Sequence, residues 1–380
     1  MYLASVIAFI IVLAVVVYKE WNSFERQSIL LLRRTQKGKA FIIRLGTSHP
    51  TFWKWLGNAG IAVGFFFSVW TIWLLLGITG SLFTTPGAQP GLSLVLPSPT
   101  ADTVIAPGVL GVPFWNWIIS IALLVVFHEG FHGIIAAREK VKIQSLGLGL
   151  LLVIPLAFVE PDEKQLRKKP AMAQMRVFAA GSFANFLIAG AAILVTLAML
   201  SAFFIPAGAG IVSLQQGFPA YEQNVTGVIT AVNGNQITNI DSLSKAFASI
   251  SPGQQMQITT KLASGEARYY TLTAAADPDG SPGAYIGVNL VPVRDINPKY
   301  SLFSGVINFG EGLLYFIFLI NLGVGAFNLM PIRGLDGGRM WELVFRRVSR
   351  KHYGKLMNIA TYLIVLILLI NFSFAFARFF

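Results

Sequence analysis

Phe127-His128-Glu129-Gly130-Phe131-His132-Gly133 interrupts an otherwise uncharged apolar segment that runs from Pro113 to Ala137. On a helix, residues four apart share a face, so His128 and His132 can turn both imidazoles toward one metal ion. Glu129 sits one residue on, about 100° around the helix, close enough to act on a metal-bound water. A charged group placed inside a membrane-length segment costs on the order of 3 kcal/mol, and such groups are kept where they do something. Either histidine alone reads as a satisfied core residue. The pair, with a carboxylate between them, reads as a metal site.

Composition sets the medium. The chain has 380 residues, 54% hydrophobic and only 12% charged, with a mean hydropathy of +0.65. A soluble globular chain carries about 25% charged residues, so this is an integral membrane protein solvated mostly by lipid. There are no cysteines, which excludes disulfides and thiolate metal ligands. The net charge of +12 does not point to nucleic acid, because 22 of the 29 basic residues fall in three blocks separated by apolar segments. These are Lys19–Lys54, Arg138–Lys169 and Arg333–Lys355, the arrangement that the positive-inside rule produces for cytoplasmic loops. No continuous basic face on one domain emerges, so no nucleic-acid partner is expected.

Taken in order, residues 1–112 hold two N-terminal spans, Tyr2–Tyr18 and Asn58–Phe83. A basic loop, Lys19–Lys54, joins them, and a Pro/Gly/Ser/Thr-rich loop, Thr84–Val112, follows on the outside. Residues 113–204 hold the HExxH span, Pro113–Ala137, and a fourth span, Ala171–Phe204. Between them Val141–Val159 is Gly-rich and broken by Pro155. Leu146–Leu150 and Leu151–Ile154 read as short strands of a re-entrant hairpin, and an interfacial loop fits the same residues equally well. Residues 208–294 are polar and nearly charge-balanced. They show an Asn233-Gly234 hairpin turn, a short helix from Asp241 to Ser249 with Asp241 as N-cap, and strands at Met256–Lys261 and Ala267–Thr273. This is one small α+β domain outside the membrane. Residues 301–357 contain a fifth span, Ser301–Leu329, and the last basic loop, while residues 358–380 contain the sixth span, Ile359–Ala377. The N- and C-termini then lie outside and the basic blocks inside.

A catalytic zinc takes three protein ligands and leaves one position for water. Glu311 lies some 25 residues before Asp336, about 37 Å along a helix, and so near the opposite face. Asp336 falls at the inner end of span five, at the depth of His128 and His132, and Pro331, Gly334, Gly337 and Gly338 loosen the chain there. Asp336 is therefore the expected third ligand; His49 and His352 read as solvated. Glu129 takes the water's proton and passes one to the leaving amine. Asn185 and Asn328 are the amides available in the flanking spans to stabilise an oxyanion, a role assigned here to Asn185, and either serves as well as an interhelical hydrogen bond.

HEGFH in one span, Gly181-Ser182-Phe183-Ala184-Asn185 in the next, an outside domain and then Asn328-Leu329-Met330-Pro331-Ile332-Arg333-Gly334-Leu335-Asp336-Gly337-Gly338 together resemble the site-2 protease family of intramembrane zinc metalloproteases. The resemblance covers Pro113–Lys355. It implies Zn2+ held by His128, His132 and Asp336, Glu129 as catalytic acid/base, and Asn185 as the family's active-site asparagine, although Ser182 stands where that motif usually has Pro. The domain at 208–294 is similar to the PDZ-like domain of such proteases but lacks an evident Gly-Asp before Val228. The partners implied are the lipid bilayer and single-span membrane proteins cut within the membrane. An extended substrate could be held by strand addition to the hairpin. A metal-ion transporter or channel would instead call for several ligand sets along a path, and a catalytically silent substrate-binding relative would be expected to lack one of the four catalytic positions.

Overall fold

The computed structural model describes residues 2–27, 30–88, 91–106, 108–151, 154–280 and 282–377. The chain forms two compact units, Met1–Thr196 with Gly310–Phe380, and Leu197–Phe309. In the first unit α1 (Tyr2–Lys19) leads to β1 (Glu25–Gln27), β2 (Leu30–Thr35), α2 (Lys39–Ser48) and the long α3 (Pro50–Thr84). Then come β3 (Leu94–Ser98), β4 (Val104–Ala106), β5 (Val109–Pro113) and α4 (Phe114–Arg138). The hairpin strands β6 (Ile143–Leu151) and β7 (Ile154–Pro161), α5 (Glu163–Arg167) and α6 (Ala171–Phe203) follow.

The second unit begins with β8 (Phe204–Leu214), α7 (Pro219–Glu222), β9 (Val228–Val232), β10 (Asn235–Gln236) and α8 (Ile240–Ala248), and closes with β11 (Gln255–Lys261), β12 (Ala267–Thr273) and β13 (Val288–Ile296). Its strands lie in the order β12-β11-β9-β8-β13, with β10 on β9. Ile229, Leu243, Met256, Ile258 and Leu272 form its core. Asn233 and Gly234 both have positive φ, 49° and 81°, which is the backbone a two-residue hairpin needs. The N-cap of α8 is Asn239 rather than Asp241: its side chain accepts from Ser242 N, and Ser242 Oγ accepts from Asn239 N. That reciprocal pair outcompetes the nearby carboxylate.

The chain returns to the first unit through α9 (Ser304–Asn328), α10 (Asp336–Val348) and α11 (Tyr353–Phe376). Among the described residues six helical segments are long and apolar enough to cross a membrane: α1, α3, α4, α6, α11 and the stretch Pro298–Asn328 that contains α9. Helices satisfy their own backbone groups, so they can present apolar side chains to lipid. Ile11, Trp73, Leu76, Leu194 and Leu369 all lie exposed on these helices.

Four further expectations need correction. The basic stretch Lys19–Lys54 is not a loop, because β2 pairs with β6 and extends the hairpin into a four-stranded sheet, β1-β2-β6-β7. The second hairpin strand starts at Ile154 rather than Leu151, and Leu152 and Val153 lie outside the described residues. Within Thr84–Val112 the strands β3, β5 and β4 form a small sheet, while much of the last basic loop is α10. Gly147 on β6 is required by its neighbour, since a Cβ there would lie within 1.8 Å of the Phe158 ring.

Helix α4 ends in a Schellman turn. Lys140 takes φ 56°, Lys140 N donates to Ala137 O and Val141 N to Ala136 O, which stops the helix and aims the chain into β6. Just before it, Glu139 accepts from Arg176 Nε at 2.6 Å and from Arg138 at 2.7 Å. Arg176 also donates to Asn58 Oδ1 at 3.0 Å, so one guanidinium ties α6 to α3 and to the end of α4. Both Glu139 and Arg176 are buried. Removing one member of a buried pair strands the other charge and costs about 3–5 kcal/mol. Glu139→Ala should therefore lower the thermal midpoint of the detergent-solubilised protein sharply. Glu342→Ala, which breaks the more exposed pair with Arg346, should leave it nearly unchanged.

Candidate metal centre

The first unit brings five of the expected residues, His128, Glu129, His132, Asn328 and Asp336, to one cavity of about 900 Å³. His128 and His132 lie one turn apart on α4, and their Nε2 atoms are 3.2 Å from each other. Asp336 Oδ2 stands 3.3 Å from His128 Nε2 and 3.1 Å from His132 Nε2. Donor atoms bound to zinc at about 2.0–2.1 Å in tetrahedral geometry are separated by about 3.3–3.4 Å. The observed triangle has edges of that size, so this His-His-Asp set fits a small tetrahedral cation. Among the described residues it is the group of this kind that the structure brings together.

Asp336 reaches this position because α9 stops at Asn328 and the chain turns through Gly334, φ 97°, before α10 starts. Gly337 and Gly338 let α10 sit on that turn, as a Cβ on either would come within 2.0 Å of the carbonyl oxygens of Leu329 and Ile332. Asp336 thus occupies the first turn of α10, where the helix dipole favours a carboxylate. On α6, Gly181 leaves room for the imidazoles: a Cβ there would lie 2.3 Å from His132 Nε2 and 2.6 Å from His128 Nε2.

The outer nitrogens of both rings are also engaged. His132 Nδ1 is 2.7 Å from the Val177 carbonyl, so it carries the proton and leaves Nε2 with its lone pair. His128 Nδ1 faces the Asn185 amide at 3.1 Å. If Nε2 of His128 is likewise a ligand, Nδ1 is a donor and must meet an acceptor. Asn185 Oδ1 is buried without another partner, and the two ends of an amide exchange by a simple flip. Turned with Oδ1 toward the ring, Asn185 satisfies both groups.

Glu129 is half-buried, and its Oε2 accepts from the backbone N–H of Val159 on β7 at 3.1 Å. Glu160 lines the same cavity but is committed elsewhere. Hydrogen bonds from Arg34 and Ser145 hold its carboxyl below the usual carboxylate range, and Arg34 Nη2 lies 3.0 Å from it. Asn328 also lines the cavity, whereas His49 and His352 are exposed. Sequence reasoning did not find Val177, Val159 or Gly181. The first two act through backbone atoms and carry no side-chain signal; the small Gly181 beside Asn185 was the one available clue.

The chain is 26% identical over 266 residues to an uncharacterized protein of Methanocaldococcus jannaschii, an alignment that spans 68% of this chain and 66% of that relative's length. Two solved PDZ domains of SdrC-like proteins, from Listeria monocytogenes and Listeria innocua, are 24% and 22% identical and each cover 22% of this chain. They cover 88% and 92% of their own chains, with TM-scores of 0.20. The model of peptidase family M50 matches residues 116–371, which takes in nearly all of α4, the hairpin strands β6 and β7, α6, the second unit and most of the return helices. This chain belongs to peptidase family M50, a family of membrane metallopeptidases.

Proposed function

We propose that the protein is an intramembrane zinc endopeptidase that hydrolyses peptide bonds within transmembrane segments of other membrane proteins. The observation that carries this reading is the 3.1–3.3 Å triangle of His128 Nε2, His132 Nε2 and Asp336 Oδ2, with Glu129 on the same helix as the two imidazoles. His128, His132 and Asp336 would hold the zinc. Bound there, it would act as a Lewis acid and lower the pKa of a bound water toward 7. Glu129 accepts the proton of the attacking water and delivers a proton to the leaving amine. Val177 O and Asn185 fix the tautomers of the two imidazoles, and Asn328, at the cavity wall, is placed as the donor for the developing oxyanion.

A helical substrate hides its amides in i to i−4 bonds and must unwind before it can be cut. The edge strand β7 beside Glu129 offers free backbone groups on which an unwound segment could pair. By the positive-inside rule the basic Arg138–Lys169 and Arg333–Lys355 stretches would lie on the cytoplasmic side. The cut would then fall below the cytoplasmic surface, about 15 Å along α4 from Arg138, and the second unit would lie outside.

The direct test uses purified protein, metal analysis and a single-span peptide. Glu129→Gln should keep bound zinc but lose about 10²–10⁴-fold in hydrolysis; unchanged cleavage would remove the mechanism. Asp336→Ala should lose stoichiometric zinc, and Gly181→Ala, which pushes on both imidazoles, should weaken zinc on the order of 10–100-fold. Full zinc content in both would place the metal elsewhere. Asn185→Ala separates its two possible roles. An orienting amide lowers metal affinity on the order of 10–100-fold, whereas an oxyanion donor lowers kcat with metal affinity intact.

A further inference from the structure

The hydrogen bond from Val159 N–H to Glu129 has a consequence for how the enzyme admits substrate. Strand β7 is an edge strand, with β6 as its one neighbour in the sheet. Val159 stands opposite Leu146 in that ladder, yet its N–H points away from β6 and onto Glu129 Oε2. Backbone groups of an antiparallel strand alternate in direction, so Ala157, two residues back, also turns its N–H and C=O to the free edge. Pro155 has no N–H and ends the run. The edge thus offers two donors, and the carboxylate expected to move protons occupies one of them.

Strand β7 can lie this close to α4 because Gly133, the residue after His132, has no side chain. A Cβ there would sit 3.1 Å from Val159 Cγ1 and 3.0 Å from Ile42 Cγ2. The approach is therefore built into the packing of the two elements and does not depend on a flexible side chain alone.

We propose that Val159 N–H is an exchangeable donor that positions Glu129. It holds the Glu129 carboxylate while the edge is empty and passes to a carbonyl oxygen of an extended substrate when that strand pairs with β7, releasing Oε2 for the water. This rests on the protease reading of the site and adds a control step to it. A general base engaged by the substrate's own docking position is withheld from the water until a backbone is in place. The exchange is chemically balanced, since one acceptor replaces another on the same N–H and no bond to carbon changes. It also predicts competition, because substrate pairing must displace a charge-assisted hydrogen bond.

The competition is measurable without turnover, using the metal-free full-length protein and a single-span Leu/Ala peptide carrying a central Asn-Pro. Glu129→Ala frees the donor, whereas Glu129→Gln keeps an acceptor on it, and neither variant can catalyse. Glu129→Ala should bind the peptide at least threefold more tightly than wild type, with Glu129→Gln, whose neutral oxygen is the weaker acceptor, between the two. The Val159 amide should exchange with solvent faster in Glu129→Ala alone and become protected again once peptide is bound. Equal affinity in all three proteins, unchanged exchange at Val159, or no peptide binding by any of them overturns the proposal. Val159→Ala, which retains the N–H, should follow wild type; a tighter complex there would assign the effect to the side chain and also overturn it. Failure of the protease reading shows separately, as absence of peptide cleavage by zinc-loaded wild type.

Discussion

Three lone-pair-bearing atoms from two distant parts of the chain are held within 3.3 Å of one another in this molecule. Neutral imidazole nitrogens and a carboxylate oxygen do not attract each other without a cation or a proton between them, and burial removes the water that would otherwise separate them. The surrounding structure must therefore enforce the approach. It does so with backbone: Gly181 yields the space of a side chain on α6, and Gly337 and Gly338 let α10 fold back onto the end of α9. The Arg176–Glu139 pair fixes the ends of α4 and α6. Each feature costs conformational entropy or desolvation, and their shared outcome is one preorganised group of three donor atoms.

How much of this was legible in the sequence varied with how local the cause was. The HExxH spacing is a helical-period statement, so it gave the relation of His128, Glu129 and His132 directly. Asp336 was reachable because depth along a span can be counted in residues. The four-stranded sheet was not, since Leu30–Thr35 is a short basic strand stabilised by pairing with β6 far along the chain, and local composition alone reads as loop. Helix α10 was hidden for another reason. Charge counting across Arg333–Lys355 outweighed the periodic apolar positions that bury Met340 while Arg339 stays exposed. The N-cap of α8 turned on a choice between two good capping residues two positions apart, decided by Ser242.

Asn185 shows why a residue can be found by pattern and still have its role open. Its amide carries donors and an acceptor, and sequence names the residue without its orientation. The neighbouring His128 Nδ1 supplies the missing constraint, because a histidine that gives Nε2 to a metal must donate from the other nitrogen. On that chemistry the proposed role of an asparagine here is to orient a ligand, which would leave the oxyanion contact to another wall of the cavity, where Asn328 stands. The two assignments differ in the readout they touch first: metal affinity in one, turnover in the other.

The carboxylates around the cavity point to the proton carrier by elimination. Glu160 is bound by Arg34 and Ser145, Glu163 by Arg167 and Arg339, and Asp162 caps α5 through Gln165 N. Asp336 faces the two imidazoles. Among the described residues, Glu129 and Asp162 are the two in this set that no salt bridge or hydrogen bond ties to a cation or an imidazole; Asp162 is committed to capping α5, whereas Glu129 is held by a backbone N–H of β7. A carboxylate locked by a guanidinium would lose basicity and freedom together, while one held by a neutral donor keeps both within reach once that donor is taken by something else. The division of partners among these acids is thus a physical reason, independent of motif, for expecting proton transfer at Glu129.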